Sequence, residues 1–141
     1  MLLPRIIPCL LIKNGGLVKS RQFSDPKYIG DPINAVRIFN EKQVDELIIL
    51  DIDASVENRD PNIRMISDLA SECRMPICYG GGIKGVESIK KIIGLGVEKV
   101  SISTSAIENH ELIENGAKIA GSQSIVVTID VKQFNGEYIV F

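Results

Sequence analysis

An α/β fold with parallel strands is predicted for this chain by three observations. Short apolar runs alternate with amphipathic stretches from end to end, a faint internal repeat pairs strand with helix twice, and no linker or low-complexity segment breaks the pattern. Strict strand–helix alternation requires right-handed crossovers between parallel strands. In the repeat, Val44-Asp45-Glu46-Leu47 followed by Ser55-Val56-Glu57-Asn58 echoes Val97-Glu98-Lys99-Val100 followed by Ala106-Ile107-Glu108-Asn109. Two strand–helix pairs on one template suit a barrel better than a doubly wound sheet. A complete (β/α)8 barrel takes roughly 250 residues. The 141 residues here therefore predict a half-barrel, the first four βα units plus a fifth strand, with residues 1–141 as part of a single domain.

The first strand is predicted at residues 5–12, from the run holding Ile6, Ile7, Leu10, Leu11 and Ile12. A helix follows at about 32–42, opened by Asp31 as cap and Pro32 in its first turn. The second strand is predicted at 47–52, and the second helix, again entered through Asp-Pro, at about 61–72. The run 77–79 gives the third strand and 85–95 the third helix. Residues 99–102 form the fourth strand, 109–120 a helix with Asn109 as cap, and 124–130 the fifth strand. At the end, Asn135-Gly136 predicts a hairpin turn followed by an apolar strand with nothing to cover it.

A chain 45% hydrophobic and 24% charged is ordinary for a globular domain, which excludes a disordered class. No apolar run reaches the length of a membrane span, and residues 1–5 lack the features of a signal peptide, so a cytoplasmic protein is expected. A net charge of −2 with both signs scattered gives no basic stripe for nucleic acid or acidic lipid. The ligand must be recognised locally. The three cysteines are Cys9, Cys73 and Cys78; Cys9 and Cys78 fall in predicted strands and read as small buried side chains. With a single histidine, His110, at the start of a predicted helix, neither a zinc site nor a Cys-His nucleophile is expected.

Gly80-Gly81-Gly82 is the sharpest functional signal. Bare backbone between a strand and a helix offers N–H groups to a phosphate, or serves as a tight turn that needs glycine for its φ angles. Strand parity gives the rest of the argument. Cys9 and Leu11 are expected to point inward from the first strand, Ile49, Asp51 and Asp53 from the second, Cys78 and Gly80 from the third, Ser101 and Ser103 from the fourth, and Val126, Thr128 and Asp130 from the fifth. Asp51, Gly80, Ser103, Thr104 and Asp130 then gather at the C-terminal strand ends, where barrels of this type do chemistry. Each of Asp51 and Asp53 reads equally well as a loop cap. Their spacing also suits a divalent ion, a weaker option for want of a third ligand, and no metal or cofactor is expected. At the opposite end Arg5, Glu46 and Lys99 precede or open their strands, as a charged ring or as salt bridges plugging a barrel floor.

Several segments together make a more specific match: Arg5-Ile6-Ile7-Pro8-Cys9-Leu10, Val18-Lys19, Gly30-Asp31-Pro32, Asp45-Glu46-Leu47 with Leu50-Asp51-Ile52, Ala54-Ser55-Val56-Glu57, Gly80-Gly81-Gly82-Ile83, Lys99-Val100-Ser101-Ile102 and Gly121-Ser122-Gln123. Through them the chain resembles, over its entire length, the N-terminal half-barrel of the cyclase subunit of imidazole glycerol phosphate synthase. The resemblance implies a (β/α)8 barrel that takes ammonia from a glutaminase docked at its N-terminal face and closes an imidazole ring on a doubly phosphorylated substrate in histidine biosynthesis. It implies phosphate binding by Gly81, Gly82, Ser103 and Thr104, with Ser103 where the family has asparagine. Lys19 would lie in a substrate-covering loop after the first strand, and Arg5, Glu46 and Lys99 would belong to an ammonia gate.

The match departs at one catalytic position. Of two inward aspartates implied to do acid–base work, Asp130 matches one, whereas Leu11 occupies the other; Asn14 also stands where the family tends to have aspartate. General acid–base catalysis contributes about a hundred- to ten-thousandfold, and leucine carries no proton. The resemblance thus leaves two functional classes: an ammonia-dependent cyclase, and a non-cyclase paralogue that conveys ammonia or regulates a glutaminase in sugar amidation for surface polysaccharide. The 141-residue chain by itself is expected to lack cyclase activity and, with open strand edges and an unclosed core, to self-associate or flatten its sheet.

Overall fold

A computed structural model describes residues 2–140 of the chain. Five strands run parallel: β1 (Cys9–Lys13), β4 (Leu47–Asp51), β5 (Ile77–Gly80), β6 (Lys99–Ile102) and β7 (Ile125–Val127). Between them lie α1 (Pro32–Lys42), α2 (Ile63–Glu72), α3 (Val86–Gly94), the short α4 (Thr104–Glu108) and α5 (His110–Ala120). The α/β alternation read from the sequence is therefore present, with helix ends displaced by two residues at most. Asp31 caps α1 by accepting from the Ile33 N–H at 2.7 Å, and Asn62 caps α2 by accepting from Met65 at 3.1 Å.

The segment after β1, expected as a loop, is instead a hairpin of β2 (Gly16–Arg21) and β3 (Ser24–Gly30), which extends the sheet to seven strands in the order β3-β2-β1-β4-β5-β6-β7. Its turns have a direct cause. Asn14 and Gly15 both take positive φ, 50° and 75°, between the paired residues Lys13 and Gly16, which is the two-residue geometry that Asn-Gly favours. Gln22 and Phe23 repeat it at φ 50° and 62° without a glycine. The expected terminal hairpin forms in the same way, with Asn135 and Gly136 at φ 49° and 83° joining β8 (Val131–Phe134) to β9 (Glu137–Val140).

The first strand begins at Cys9, later than expected. Residues 5–8 still run beside the sheet, since the Ile6 and Pro8 carbonyls accept from Asp45 at 3.1 Å and Ile48 at 2.9 Å, but Pro8 has no N–H to return. The fifth strand is likewise shorter than residues 124–130: a 3₁₀ turn occupies Ser122–Ser124 at its start, and its pairing with β6 ends at Val127.

Register separates the two faces. Leu10, Ile49, Tyr79 and Val100 lie side by side and join Val36, Ile66, Leu69, Ile89, Ile92 and Leu112 from the helices in one buried cluster. Cys9, Ile48, Cys78 and Lys99 form a row on the other face, and Leu11, Leu50, Gly80, Ser101 and Val126 the next. This corrects one expectation. Ile49, 1% exposed, packs beneath the helices, and Ile48 and Leu50 take the open face instead. Parity within a strand gives two alternatives, and only pairing with neighbours chooses between them. Helices cover a single face, as in one layer of a barrel.

Candidate functional site

A cavity of about 480 Å³ lies at the C-terminal ends of the parallel strands. Gly81, Gly82, Ser103, Thr104 and Asp130, singled out in the sequence, all line it, as do Leu11, Asp51 and Asp53. Lys19 does not. It stands exposed on β2, paired with Lys27 on β3, while Ser20, Phe23 and Pro26 of the same hairpin reach the cavity.

The triglycine run is sterically constrained. A Cβ on Gly81 would lie 2.5 Å from the Asp51 carbonyl oxygen, and one on Gly82 2.5 Å from that of Arg59; their φ angles are +123° and +71°. Glycine is thus needed for close approach to the loop after β4 as well as for its backbone angles, so the tight-turn reading has full structural support. The same residues nonetheless present backbone to the cavity. Helix α3 begins only at Val86, so the helix whose first turn borders the cavity is α4, where Ser103, at the N-cap position without a side-chain cap bond, lines the wall with Thr104 and Ser105. The Ser105 hydroxyl donates to the Ile83 carbonyl at 2.9 Å and ties this turn to the glycine loop.

The two aspartates after β4 have different surroundings. Asp51 accepts from the N–H groups of Asp53 and Ala54, each at 3.2 Å, and from two nitrogens of Arg59 at 3.4 Å. It is a loop cap. Asp53, 8% exposed, has its Oδ1 3.6 Å from the Lys13 Nζ and its Oδ2 buried without a hydrogen-bond partner. Since each carboxylate faces a cation, their spacing does not assemble a metal cage. Opposite, the Ser101 and Thr128 hydroxyls are hydrogen-bonded to each other, joining β6 to the segment that carries Asp130.

At the N-terminal strand ends Arg5, Glu46 and Lys99 meet. Glu46, 3% exposed, takes Arg5 at 3.0 Å and Lys99 at 3.0 Å and 3.1 Å on its two oxygens. Two cations around one carboxylate meet the requirement that a buried charge be paired. Cys78 lies buried next to them, its thiol pushed up to about 12 by burial first and the Glu46 charge second, with Lys99 opposing. Cys9, expected to be buried, is exposed, and His110 is exposed at the start of α5.

Lys13, Ser105 and the hairpin tip escaped sequence reasoning. Lys13 shares the parity of Cys9 and Leu11, which was a usable signal. Ser105 carried none, because α4 is too short to leave a periodic pattern.

The fold and cavity define an α/β protein with a parallel-stranded core and a cavity at the C-terminal ends of those strands. The family described as histidine biosynthesis protein matches residues 5–141, and the chain belongs to that family. It is 59% identical over 138 residues to "Putative imidazole glycerol phosphate synthase subunit hisF2" of Pseudomonas aeruginosa, covering 97% of this chain and 55% of that protein. The protein of Leptospira borgpetersenii named "Putative imidazole glycerol phosphate synthase subunit HisF" is 58% identical over 94% of this chain and 52% of its own length. "Imidazole glycerol phosphate synthase subunit HisF" of Methanococcus vannielii is 47% identical, covering 94% and 49%. The resemblance read from the motifs holds at the level of family, and the chain spans about half the length of the curated relatives it matches.

Proposed function

We propose that this chain is the N-terminal half of a (β/α)8 barrel of the cyclase-subunit type, which binds a phosphorylated small molecule and uses ammonia delivered by a glutaminase at its N-terminal face. The observation that carries this reading is the grouping of Gly81, Gly82, Ser103, Thr104 and Asp130 around one cavity, with Arg5, Glu46 and Lys99 bonded at the other end of the strands. In this reading the glycine backbone and the first turn of α4 hold phosphate through N–H groups, and the Thr104 hydroxyl adds a donor. Asp130 takes or gives a proton at the reacting centre. The Arg5–Glu46–Lys99 cluster forms part of the gate that ammonia passes. The setting is cytoplasmic, and no helix among the described residues is long and apolar enough to cross a membrane.

A second reading is favoured by Leu11, which lines the same cavity as Asp130 and supplies an isobutyl group where paired acid–base chemistry needs a carboxylate. In it the barrel conveys ammonia or regulates the glutaminase for sugar amidation in lipopolysaccharide or O-antigen synthesis. Ammonia-dependent cyclisation, assayed in the complete protein before and after Leu11→Asp, separates the two. Turnover that arises only after the change supports the paralogue, and substantial turnover with Leu11 in place supports the cyclase.

The half-barrel also carries an open edge at β7 and an exposed apolar hairpin, including Phe134, Tyr138 and Val140. Self-association of the 141-residue chain is the expected consequence. Sedimentation showing a monomer at all concentrations would contradict it.

A further inference from the structure

Among the described residues, Asp53 stands out by what it lacks. Its carboxylate is nine-tenths buried in the wall of the cavity, Oδ2 has no hydrogen-bond partner, and Oδ1 has only Lys13 at 3.6 Å, beyond hydrogen-bonding range. Buried polar atoms are satisfied in the great majority of cases, so a carboxylate in a cavity wall with neither oxygen hydrogen-bonded calls for a donor supplied from the cavity. Asp51, two residues earlier and equally buried, makes four contacts within the protein, so burial at this loop does not by itself leave a carboxylate unpaired.

We infer that Asp53 is a specificity-determining residue that accepts a hydrogen bond from a hydroxyl or N–H of the ligand, so that the cavity selects phosphate esters bearing such a donor a few bonds from the phosphate. The inference rests on the phosphate reading of the glycine corner. Proximity supports it: the Ala54 Cβ, one residue on, lies 3.1 Å from the position a Cβ on Gly82 would take. Leu11, Leu50 and Val56 line the same cavity and lower the local polarity, which strengthens a hydrogen bond to a charged acceptor. Lys13 supplies the counter-charge 3.6 Å from Oδ1, too far to occupy that oxygen's hydrogen-bonding capacity.

Titration calorimetry on the 141-residue chain with glycerol 3-phosphate, n-propyl phosphate and inorganic phosphate tests this. The wild type is expected to bind glycerol 3-phosphate about tenfold more tightly than n-propyl phosphate, the same chain without hydroxyls. Asp53→Asn is expected to erase most of that preference and leave inorganic phosphate unchanged, with Asp53→Ser giving the same comparison if the amide disturbs folding. Equal affinity of the wild type for the two esters overturns the inference without reference to any variant, and so does a preference that survives both substitutions. In those outcomes the phosphate corner still stands. Failure of all three compounds to bind the wild type overturns the corner and the inference together.

Discussion

Glu46 and Lys99 hold the same position in the two internal repeats, one before β4 and the other opening β6, and they meet as an ion pair of 3.0 Å. Register sets Lys99 level with Cys78 and Ile48, two residues beyond Glu46, so the pair forms across the intervening β5 with that offset. An acid in one repeat and a base in the other makes the bond possible. Lys99→Met is expected to leave the buried Glu46 with Arg5 alone, and Arg5 is half exposed. The cost is about 1 to 3 kcal/mol, below the value for a fully buried pair because solvent reaches both cations. Urea unfolding measures it, and an unchanged midpoint would show the cluster to be energetically idle.

The glycines separate into those that packing requires and those that it does not. Gly82→Ala places a Cβ 2.5 Å from a carbonyl oxygen at φ +71° and should cost about 2 to 4 kcal/mol. Gly94, at the end of α3, has open space around it and no positive φ. Gly94→Ala should therefore raise stability by about 0.5 to 1 kcal/mol. Thermal unfolding of the two variants tests the contrast, and equal shifts in one direction would refute it.

The bond from Ser105 to the Ile83 carbonyl is the one side-chain tie between the first turn of α4 and the glycine loop among the described hydrogen bonds. Ser105→Ala is expected to cost about 1 kcal/mol of stability. It should also weaken inorganic phosphate binding severalfold, since the two walls of the corner are no longer held together. Calorimetry alongside unfolding distinguishes this from a purely structural role, which would leave phosphate affinity intact.

Alkaline pH should destabilise the fold through Cys78. Its folded value lies near 12 and its ordinary value at 9.0, so the unfolded chain releases the proton first. The stabilisation is fully present below pH 9 and is lost as pH rises toward about 12. Tyr79 acts in the same direction, raised by burial and then by the Asp51 charge. Urea midpoints followed over that range should fall less steeply in Cys78→Ala, and identical slopes would remove the thiol from the account.

Local pattern was enough for the α/β class, the order of its elements and the row of polar strand ends. The hairpin at residues 16–30 was legible but unread: Asn14-Gly15 is the same dipeptide signal as Asn135-Gly136, which did predict a hairpin. Its second turn was not legible, because Gln22 and Phe23 carry no turn signature and adopt positive φ only under the pairing of Arg21 with Ser24.

By itself the sequence determined the parallel α/β plan, the family, and the candidates Gly81, Gly82, Ser103, Thr104 and Asp130, because hydrophobic period and motif spacing are properties of neighbouring residues. Tertiary structure alone decided which face Ile49 takes, why Gly81 and Gly82 admit no side chain, and that Asp51 is satisfied where Asp53 is not. The first two depend on atoms brought together from separate strands and loops, and the third on how the loop after β4 folds back on Asp51; no spacing along one strand encodes either.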